Sequence, residues 1–244
     1  MVKISPSLFQ FTTKSDLVRA IRASQNADMF HIDVTDGKLV DDPRTVKGSG
    51  KSKTGGASYF FDESRLKVVA ENSDIPLDVH LMIANPLDHI ERYAKFSPLY
   101  ISFHVEALPN EKYGMEIIEK IRSYGVKPVI VINPQTPIRA IQPYITEVDM
   151  VLFMSVIPGK GGQGYISHVT DRIIELRKRI DSESLDLLIQ VDGGIKLDNL
   201  HIPVGAGADV IVSGTGVYSP KGGNNKYTPS EMIDKMKQVE RQTK

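Results

Sequence analysis

The chain has 244 residues, 41% of them apolar, with 30 basic and 30 acidic side chains and no cysteine. The balanced charge gives no reason to expect nucleic acid or an anionic membrane surface as a partner, and the absence of cysteine excludes disulfides, thiolate metal ligands and a cysteine nucleophile. Residues 1–30 lack the apolar run of a signal peptide and no apolar stretch approaches the roughly 18 residues of a membrane span, so we expect a cytoplasmic protein with no membrane partner.

Apolar runs of strand length alternate with segments of helical periodicity along the chain. The predicted strands are residues 2–7, 29–33, 76–82, 100–104, 126–132, 150–154, 187–191 and 210–213. The predicted helices are residues 14–24, 62–71, 86–95, 115–124, 137–144, 168–180, 197–206 and 230–241. Pro86 suits a first helical turn and Gly125 a C-terminal cap. Eight strands alternating with eight helices in this length predict an α/β fold of the (β/α)8 TIM-barrel type.

A doubly wound open sheet has the same alternation and is the alternative architecture. The barrel is favoured by the candidate site residues, which lie at or near the ends of different predicted strands. These residues are His31, Asp33, His80, His104, Met154, Asp192 and Gly214. Only a closed ring brings all of those ends around one pocket. No linker divides the chain, so we expect a single domain over residues 1–244 with an inserted loop at about 38–58.

The sequence HIDVTDG at 31–37 contains the first candidate metal ligands. If residues 29–33 form a strand, His31 and Asp33 point to the same face because side chains alternate along a strand. Two further apolar runs end at polar residues, one at His80 and one at Asp192. Two imidazoles and two carboxylates form a set that suits a divalent metal ion.

Glycine-rich sequences follow the last three predicted strands, at 159–164, 193–194 and 214–216. Glycine allows backbone N–H groups to approach an oxyanion closely, and barrels often bind phosphate in the loops after their last strands. A single loop of this kind could be only a tight turn. Three such loops on neighbouring strands favour a phosphate site.

Two short motifs point to other functions. GSGKS at 48–52 resembles the end of a P-loop, but Thr45 stands where that motif needs a glycine and no predicted strand leads directly into it. DGKLVD at 36–41 contains the Asp-x-Lys-x-x-Asp array of the orotidine-phosphate decarboxylase group, although in that group the array closes the third strand and here it follows the second. A phosphosugar decarboxylase that uses Lys38 therefore stays an alternative.

Six motifs, taken in order, resemble the signatures of the ribulose-phosphate 3-epimerase family. They are SPSL at 5–8, HIDVTDG at 31–37, DVHLM at 78–82, HVE at 104–106, MSVIPGKGGQ at 154–163 and VDGGI at 191–195. The resemblance implies a barrel of the ribulose-phosphate binding type. It also implies an isomerase that converts D-ribulose 5-phosphate to D-xylulose 5-phosphate by epimerisation at C3, and a homo-oligomer.

The resemblance further assigns individual residues. It implies that His31, Asp33, His80 and Asp192 bind one divalent metal ion (zinc, iron, manganese or cobalt), with Asp33 and Asp192 as the acid/base pair. It implies that Ser7, Met82 and Met154 line the substrate. The phosphate of the ketose phosphate would be held by Gly161, Gly162, Gly193, Gly194, Gly214 and Thr215. For His104, on the same strand face as Glu106, we expect support of the metal ligands rather than metal binding.

Three departures from the family pattern concern the substrate. Thr35 replaces the usual Met, so one apolar cap over the reacting carbons becomes small and polar, and Ile157 replaces a residue that is commonly polar. A basic, Gly-rich insertion replaces a short continuation, and its residues 46–58 are either a lid over the barrel mouth or a flexible surface excursion. A 3-epimerase of a hexulose 6-phosphate such as D-allulose 6-phosphate is therefore the close alternative. A non-catalytic phosphosugar-binding protein is a further one.

Overall fold

A computed structural model describes residues 1–40, 61–159, 162–218 and 226–239. Eight strands lie in these ranges: β1 (Lys3–Pro6), β2 (Phe30–Thr35), β3 (Leu77–Met82), β4 (Tyr100–His104), β5 (Lys127–Ile132), β6 (Met150–Met154), β7 (Leu188–Asp192) and β8 (Val210–Ser213). Each overlaps a predicted strand, and β4, β6 and β8 have the predicted bounds. The insertion at 46–58 and Gly161 lie outside the described residues.

The strands form one parallel sheet in the order β1-β8-β7-β6-β5-β4-β3-β2. Its two edges meet through a parallel bridge between Ser7 and His31, and the Leu8 N–H donates a hydrogen bond to the His31 carbonyl oxygen at 3.1 Å. This nearly closed ring confirms the TIM barrel, and the doubly wound alternative is wrong. The carboxyl ends of all eight strands therefore surround one mouth.

Helices connect the strands on the outside of the barrel. They are α1 (Lys14–Ala23), α2 (Glu63–Asn72), α3 (Ile90–Ala94), α4 (Glu111–Ser123), α5 (Val169–Glu183), α6 (His201–Ala206) and α7 (Pro229–Lys237). Short 3-10 helices lie at Pro86–Asp88, Val105–Ala107 and Ile138–Tyr144. In the described part of the chain, no helix combines the length and the apolarity that crossing a membrane requires.

Several predicted helices differ from the structure, and the one predicted at 197–206 begins only at His201. The helix predicted at 115–124 begins at Glu111 instead, because Asn110 Oδ1 accepts a hydrogen bond from the Tyr113 N–H at 3.0 Å and caps the first turn. The helix predicted at 86–95 is divided into a 3-10 turn and α3, since the His89 N–H bonds to the Pro86 carbonyl oxygen three residues back. The segment predicted at 137–144 is a 3-10 helix.

The side chains of β2 alternate between the surrounding helices and the barrel interior. Phe30, Ile32 and Val34 are fully buried in the cluster that packs strands against helices, and each contributes about 1.5–3 kcal/mol by this burial. The intervening His31 and Asp33 face inward because of the two-residue period. A second apolar cluster occupies the interior and includes Met29, Tyr100, Val129, Met150, Leu152 and Val210. The outward apolar residues thus fix the register that points the polar ones into the barrel.

Candidate active site and metal centre

The four predicted metal ligands meet at the mouth of the barrel. Parallel pairing sets Asp33 of β2 beside His80 of β3, and Asp192 of β7 beside Met154 of β6. His31, Asp33, His80 and Asp192 each offer one ligand atom, and these four atoms all lie within 4.8 Å of one another. Both imidazoles are fully buried and Asp33 is 5% exposed, whereas the Asp192 side chain is 16% exposed.

The ligand atoms have a spacing that suits a metal ion. His31 Nε2 lies 3.3 Å from both Asp33 Oδ1 and His80 Nδ1, and His80 Nδ1 lies 3.2 Å from Asp33 Oδ1. Ligands of a tetrahedral zinc ion with bonds of about 2.0–2.2 Å lie roughly 3.3–3.6 Å apart. Asp192 Oδ2 completes the group at 3.9 Å from His31 Nε2. Two nitrogens and two carboxylate oxygens at this spacing could hold zinc, iron, manganese or cobalt.

Asp78 orients His31, a role that the sequence analysis missed. Asp78 Oδ2 accepts hydrogen bonds from His31 Nδ1 at 2.7 Å and from Gln190 Nε2 at 2.6 Å, and all three residues are fully buried. Because Nδ1 of His31 donates to Asp78, the nitrogen that loses its proton when the ring becomes neutral is Nε2, and its lone pair then faces the ligand group. The two-residue spacing in the sequence could have identified this role, because Asp78 lies two residues before His80 and Gln190 two residues before Asp192, on the same strand faces.

His104 lies behind His80 rather than inside the ligand group. Its Nε2 is 2.9 Å from His80 Nε2, and its Nδ1 is 3.2 Å from Glu106 Oε2. His80 turns its other nitrogen, Nδ1, toward Asp33 and His31. His104 therefore contacts a candidate ligand through the nitrogen that faces away from the candidate metal position.

The two carboxylates of the group differ in charge because their surroundings differ. Burial opposes ionisation of Asp33, but the charges of His31 and His80 and their hydrogen bonds to Asp33 hold its pKa well below the usual range. Burial raises the pKa of Asp192 to about 7, with Asp33 and Asp78 acting in the same direction and His31 against them. Near neutral pH, Asp33 is thus ionised while Asp192 can still carry a proton.

The two histidines are also shifted in opposite directions. Burial lowers the pKa of His80 to about 4, which leaves this imidazole neutral. Burial acts in the same way on His31, but the adjacent carboxylates of Asp78 and Asp33 outweigh it and raise the pKa of His31 well above its usual value. Without a metal ion, His31 is therefore the group that balances the negative charge of the cluster.

A pocket opens beside the ligand group. All predicted substrate-binding residues in the described ranges line it, namely Ser7, Met82, Met154, Gly162, Gly193, Gly194, Gly214 and Thr215. Ser7 also donates a hydrogen bond from Oγ to Asp33 Oδ2 at 2.7 Å, which leaves Oδ1 facing the histidines. Phe9, Gln10 and Gln163 line the pocket as well. No charge cluster or glycine pattern marked Phe9 or Gln10 in the sequence, whereas Gln163 lies in the glycine-rich sequence at 159–164.

The glycine pair after β7 has a backbone that a side chain would disturb. Gly194 has a φ of 66°, and a Cβ atom there would lie 2.5 Å from the Tyr165 backbone nitrogen and 2.7 Å from the Gly164 carbonyl carbon. The loop after β6 and the loop after β7 can pack this closely only because residue 194 has no side chain. This close packing forms one wall of the pocket.

The departures from the family pattern fall in different places. Thr35 is fully buried and is not among the described residues that line the pocket, so its effect on the substrate stays a prediction. Ile157 is 44% exposed in the loop after β6. Asp36 accepts hydrogen bonds from the backbone N–H groups of Lys38 and Ala84 at 2.8 and 3.0 Å, which is a structural use of the first carboxylate in the decarboxylase-like array.

The fold and the site together define a class of protein: a (β/α)8 barrel with a candidate metal centre and glycine-rich loops at its mouth. Comparison with known proteins gives the family. The profile described as the ribulose-phosphate 3 epimerase family matches residues 59–218. Ribulose-phosphate 3-epimerase of Helicobacter pylori (strain J99) is 34% identical over 220 residues, which cover 90% of this chain and 92% of that protein. The enzyme of the same name from Bacillus subtilis (strain 168) is 34% identical, covering 89% and 93%.

The chain therefore belongs to the ribulose-phosphate 3-epimerase family and is an isomerase, which confirms the resemblance seen in its motifs. Solved structures agree on the fold. KGPDC from Streptococcus mutans has a TM-score of 0.65 at 12% identity and covers 98% of this chain and 99% of that one. 3-Hexulose-6-phosphate synthase from Salmonella typhimurium has a TM-score of 0.64 at 12% identity, covering 98% of each chain. Identities this low support the barrel architecture alone.

Proposed function

We propose that the protein interconverts D-ribulose 5-phosphate and D-xylulose 5-phosphate by metal-dependent epimerisation at C3. The observation that carries this proposal is the pair Asp33 and Asp192 in one pocket, one carboxylate held ionised and the other with a pKa of about 7. Epimerisation needs a base and an acid at the same carbon, and these two environments provide them. The names of the relatives, ribulose-phosphate 3-epimerases, support the choice of substrate.

In the proposed reaction, Asp33 removes the proton on C3 and the C–H electron pair moves toward the C2 carbonyl group to give an enediolate. Asp192 returns a proton to C3 from the opposite face, and the electron pair moves back to restore the ketone with inverted configuration. The two residues exchange roles in the reverse direction. Ser7 holds Asp33 in place through its hydrogen bond to Oδ2.

His31, Asp33, His80 and Asp192 would hold the divalent ion. When bound, the ion supplies Lewis-acid stabilisation of the negative charge that develops on the substrate, worth several kcal/mol in comparable sites. Both histidines are fully buried, and electrostatic interactions in such surroundings are stronger than in bulk water.

The substrate's phosphate is proposed to bind to the glycine-rich loops at the far side of the pocket. Gly162, Gly193, Gly194, Gly214 and Thr215 line that region, and backbone N–H groups in such loops bind anions without a charged side chain. The same pocket would place the sugar carbons between Met82 and Met154. These apolar walls suit an enediolate intermediate that must be protected from water.

Epimerisation of a hexulose 6-phosphate such as D-allulose 6-phosphate is the second candidate. It uses the same acid, base and metal ligands, so it differs only in the length of substrate between C3 and the phosphate. The exposed Ile157 in the loop after β6 favours considering it, since the family commonly has a polar residue there. A decarboxylase is less well supported, because Asp36 is occupied by the backbone N–H groups of Lys38 and Ala84.

The test is a panel of ketose phosphates incubated with the metal-loaded protein in deuterated water. NMR should detect conversion of D-ribulose 5-phosphate to D-xylulose 5-phosphate with deuterium at C3, and D-ribulose without phosphate should react far more slowly. Conversion of hexulose 6-phosphates alone would select the second candidate. Release of carbon dioxide would indicate a decarboxylase, and binding without deuterium exchange would indicate a non-catalytic binder.

A further inference from the structure

His80 and His104 lie within hydrogen-bond distance of each other through their Nε2 atoms. The two Nε2 atoms lie 2.9 Å apart, both rings are fully buried, and the ring planes are 18° from parallel with centroids 5.0 Å apart. When both imidazoles are neutral, one Nε2 carries hydrogen and donates while the other accepts. The direction of this hydrogen bond decides which tautomer His80 adopts.

Glu106 sets that direction from the far side of His104. Its Oε1 accepts a hydrogen bond from the Asn133 backbone N–H at 2.9 Å, and its Oε2 lies 3.2 Å from His104 Nδ1. An ionised carboxylate only accepts hydrogen bonds, so His104 must carry its proton on Nδ1. His104 Nε2 is then an acceptor, His80 Nε2 is the donor, and His80 Nδ1 is left with a lone pair facing the ligand group.

The backbone around Asn133 is itself held in place. Arg172 of α5 donates hydrogen bonds to the Asn133 carbonyl oxygen at 2.8 Å and to the Thr136 carbonyl oxygen. Because the Asn133 N–H is part of a fixed turn, the atom of residue 106 that faces it has to be an acceptor.

Asp33 could favour the reverse direction, since its Oδ1 lies 3.2 Å from His80 Nδ1. Asp33 already accepts a hydrogen bond from the Ser7 hydroxyl and lies 3.3 Å from His31 Nε2, however. Reversal would also turn the bare Nδ1 of His104 toward the Glu106 carboxylate, which places two lone pairs against each other. When His104 instead donates from Nδ1 to Glu106, no two lone pairs face each other at the contact between His104 and Glu106.

We propose that Glu106 and His104 are positioning residues that hold His80 in the Nε2–H tautomer and so keep its Nδ1 free to bind the metal ion. The inference rests on the metal centre of the proposed function. In this proposal Glu106 and His104 are not metal ligands, and both act on the ion only through His80. Asp78 has the matching role for His31, because it accepts from Nδ1 and leaves Nε2 free.

Glu106→Gln is the informative variant. Glutamine has one acceptor oxygen, and the fixed Asn133 N–H requires it, so the amide NH2 group faces His104 Nδ1 as a donor. The hydrogen bonds that run from residue 106 through His104 to His80, here called the relay, then reverse direction. His80 Nδ1 now carries the hydrogen and presents N–H to the ligand group. We expect Zn²⁺ affinity, measured by competition with a chelator dye, to fall about 10- to 100-fold. Glu106→Ala removes the acceptor without supplying a donor, so its loss of affinity should be smaller.

The order of these two variants distinguishes the relay from simple packing. A purely structural role would make Ala more harmful than its near-isosteric alternative, Gln. Glu63→Gln is the matched control, because Glu63 pairs with Arg92 and Lys95 on the outside of the barrel. Its Zn²⁺ affinity should equal that of the unmodified protein, and the unfolding temperatures of all metal-free variants should be compared.

Long-range ¹H–¹⁵N spectra of the metal-free protein provide a readout that needs neither metal nor activity. We expect His104 to be protonated on Nδ1 in the unmodified protein and on Nε2 in Glu106→Gln. Protonation of His104 on Nε2 in the unmodified protein would overturn the proposal, and so would equal or stronger Zn²⁺ binding by Glu106→Gln than by Glu106→Ala. Failure of the unmodified protein to bind any divalent ion would overturn the proposed metal centre instead, while the spectra would still decide the direction of the relay.

Discussion

Asp33 and Asp192 show how two identical side chains acquire different properties from their contacts. Asp33 is surrounded by donors, namely Ser7 Oγ at 2.7 Å and the nearby nitrogens of His31 and His80. Asp192 lies farther from His31, at 3.9 Å, and its burial is less well compensated, which raises its pKa to about 7. A pair of this kind can exchange acid and base roles at the same carbon near neutral pH.

Replacing either carboxylate with an amide should separate proton removal from epimerisation. Asp33→Asn and Asp192→Asn should each lower kcat by about 10²- to 10⁴-fold, since each variant loses one half of the proton transfer. In deuterated water, each variant should still exchange the C3 hydrogen of one epimer, and the two variants should act on opposite epimers. Metal content and circular dichroism serve as controls. Exchange of both epimers by a single variant would show that its missing carboxylate is not an acid or base.

Metal binding should depend on pH in a direction that follows from the same pKa shifts. In the metal-free protein His31 has a raised pKa and Asp192 has a pKa of about 7, so both hold protons in mildly acidic solution. A metal ion must displace these protons, and the apparent Zn²⁺ association constant should therefore fall about tenfold per displaced proton for each pH unit below about 7. Calorimetry in two buffers would count the protons released.

The control for this experiment is His80→Ala, which removes a ligand whose pKa of about 4 makes it neutral throughout this range. It should bind Zn²⁺ weakly at every pH and should purify with most of the metal lost. A Zn²⁺ affinity of the unmodified protein that stays constant between about pH 6 and 7 would contradict the protonation states assigned to His31 and Asp192.

At the scale of elements, the loops after β6 and β7 form one packed unit. The Ser155 hydroxyl oxygen lies within hydrogen-bond distance of the carbonyl oxygens of Asp192 and Gly193, at 3.0 and 2.7 Å, so its one hydrogen can be donated to either of them. Gly194 then lies against the backbone of Gly164 and Tyr165. The proposed phosphate site therefore depends on backbone packing between neighbouring loops and not on either loop alone.

Gly194→Ala should disturb this unit in two ways. The left-handed φ of 66° and the collision of Cβ with backbone atoms should each cost about 1–3 kcal/mol of unfolding free energy, and the KM for the ketose phosphate should rise. Gly125→Ala is the matched control: its φ of 71° is similar, but no atom of the described residues lies within 4 Å of its Cβ position. Denaturant unfolding should find Gly194→Ala the more destabilised of the two, and equal stability would argue against close loop packing.

At the scale of the whole molecule, closure of the barrel brings the site together. The bridge between Ser7 and His31 joins the first strand to the second, and both residues belong to the site. Asp33 and Asp192 come from β2 and β7, which are separated in the ring by β1 and β8. In an open sheet these strands would lie far apart, so Asp33 and Asp192 meet in one pocket only because the ring closes.

The insertion at 46–58 is the part of the whole chain whose role remains a prediction from sequence. It follows β2, which ends at the barrel mouth, and it carries Lys47, Lys51 and Lys53. Shortening residues 46–58 to a few residues should change the preference among pentulose and hexulose phosphates, or lower kcat/KM, without changing metal content. A full-length variant in which these three lysines are replaced by glutamine separates the effect of the insertion's charge from the effect of its length. Unchanged kcat/KM across the panel would assign the insertion no part in selectivity.

The sequence by itself determined the barrel, the family and the four candidate ligands. Strand and helix periods are local properties, and the two-residue alternation around His31, Asp33 and His80 places their side chains on the inward face before any tertiary contact is known. The family motifs predicted the substrate-binding residues, and those in the described ranges do line the pocket.

Only the tertiary structure decided which groups touch and what charge they carry. Phe9 and Gln10 line the pocket and Thr35 does not, because the positions of these side chains depend on how loops fold over strand ends. The hydrogen bonds of Asp78 and Glu106 fix the faces of His31 and His80 through contacts between strands and loops. The opposite pKa shifts of Asp33 and Asp192 arise from burial and neighbouring charge, which a linear sequence does not specify.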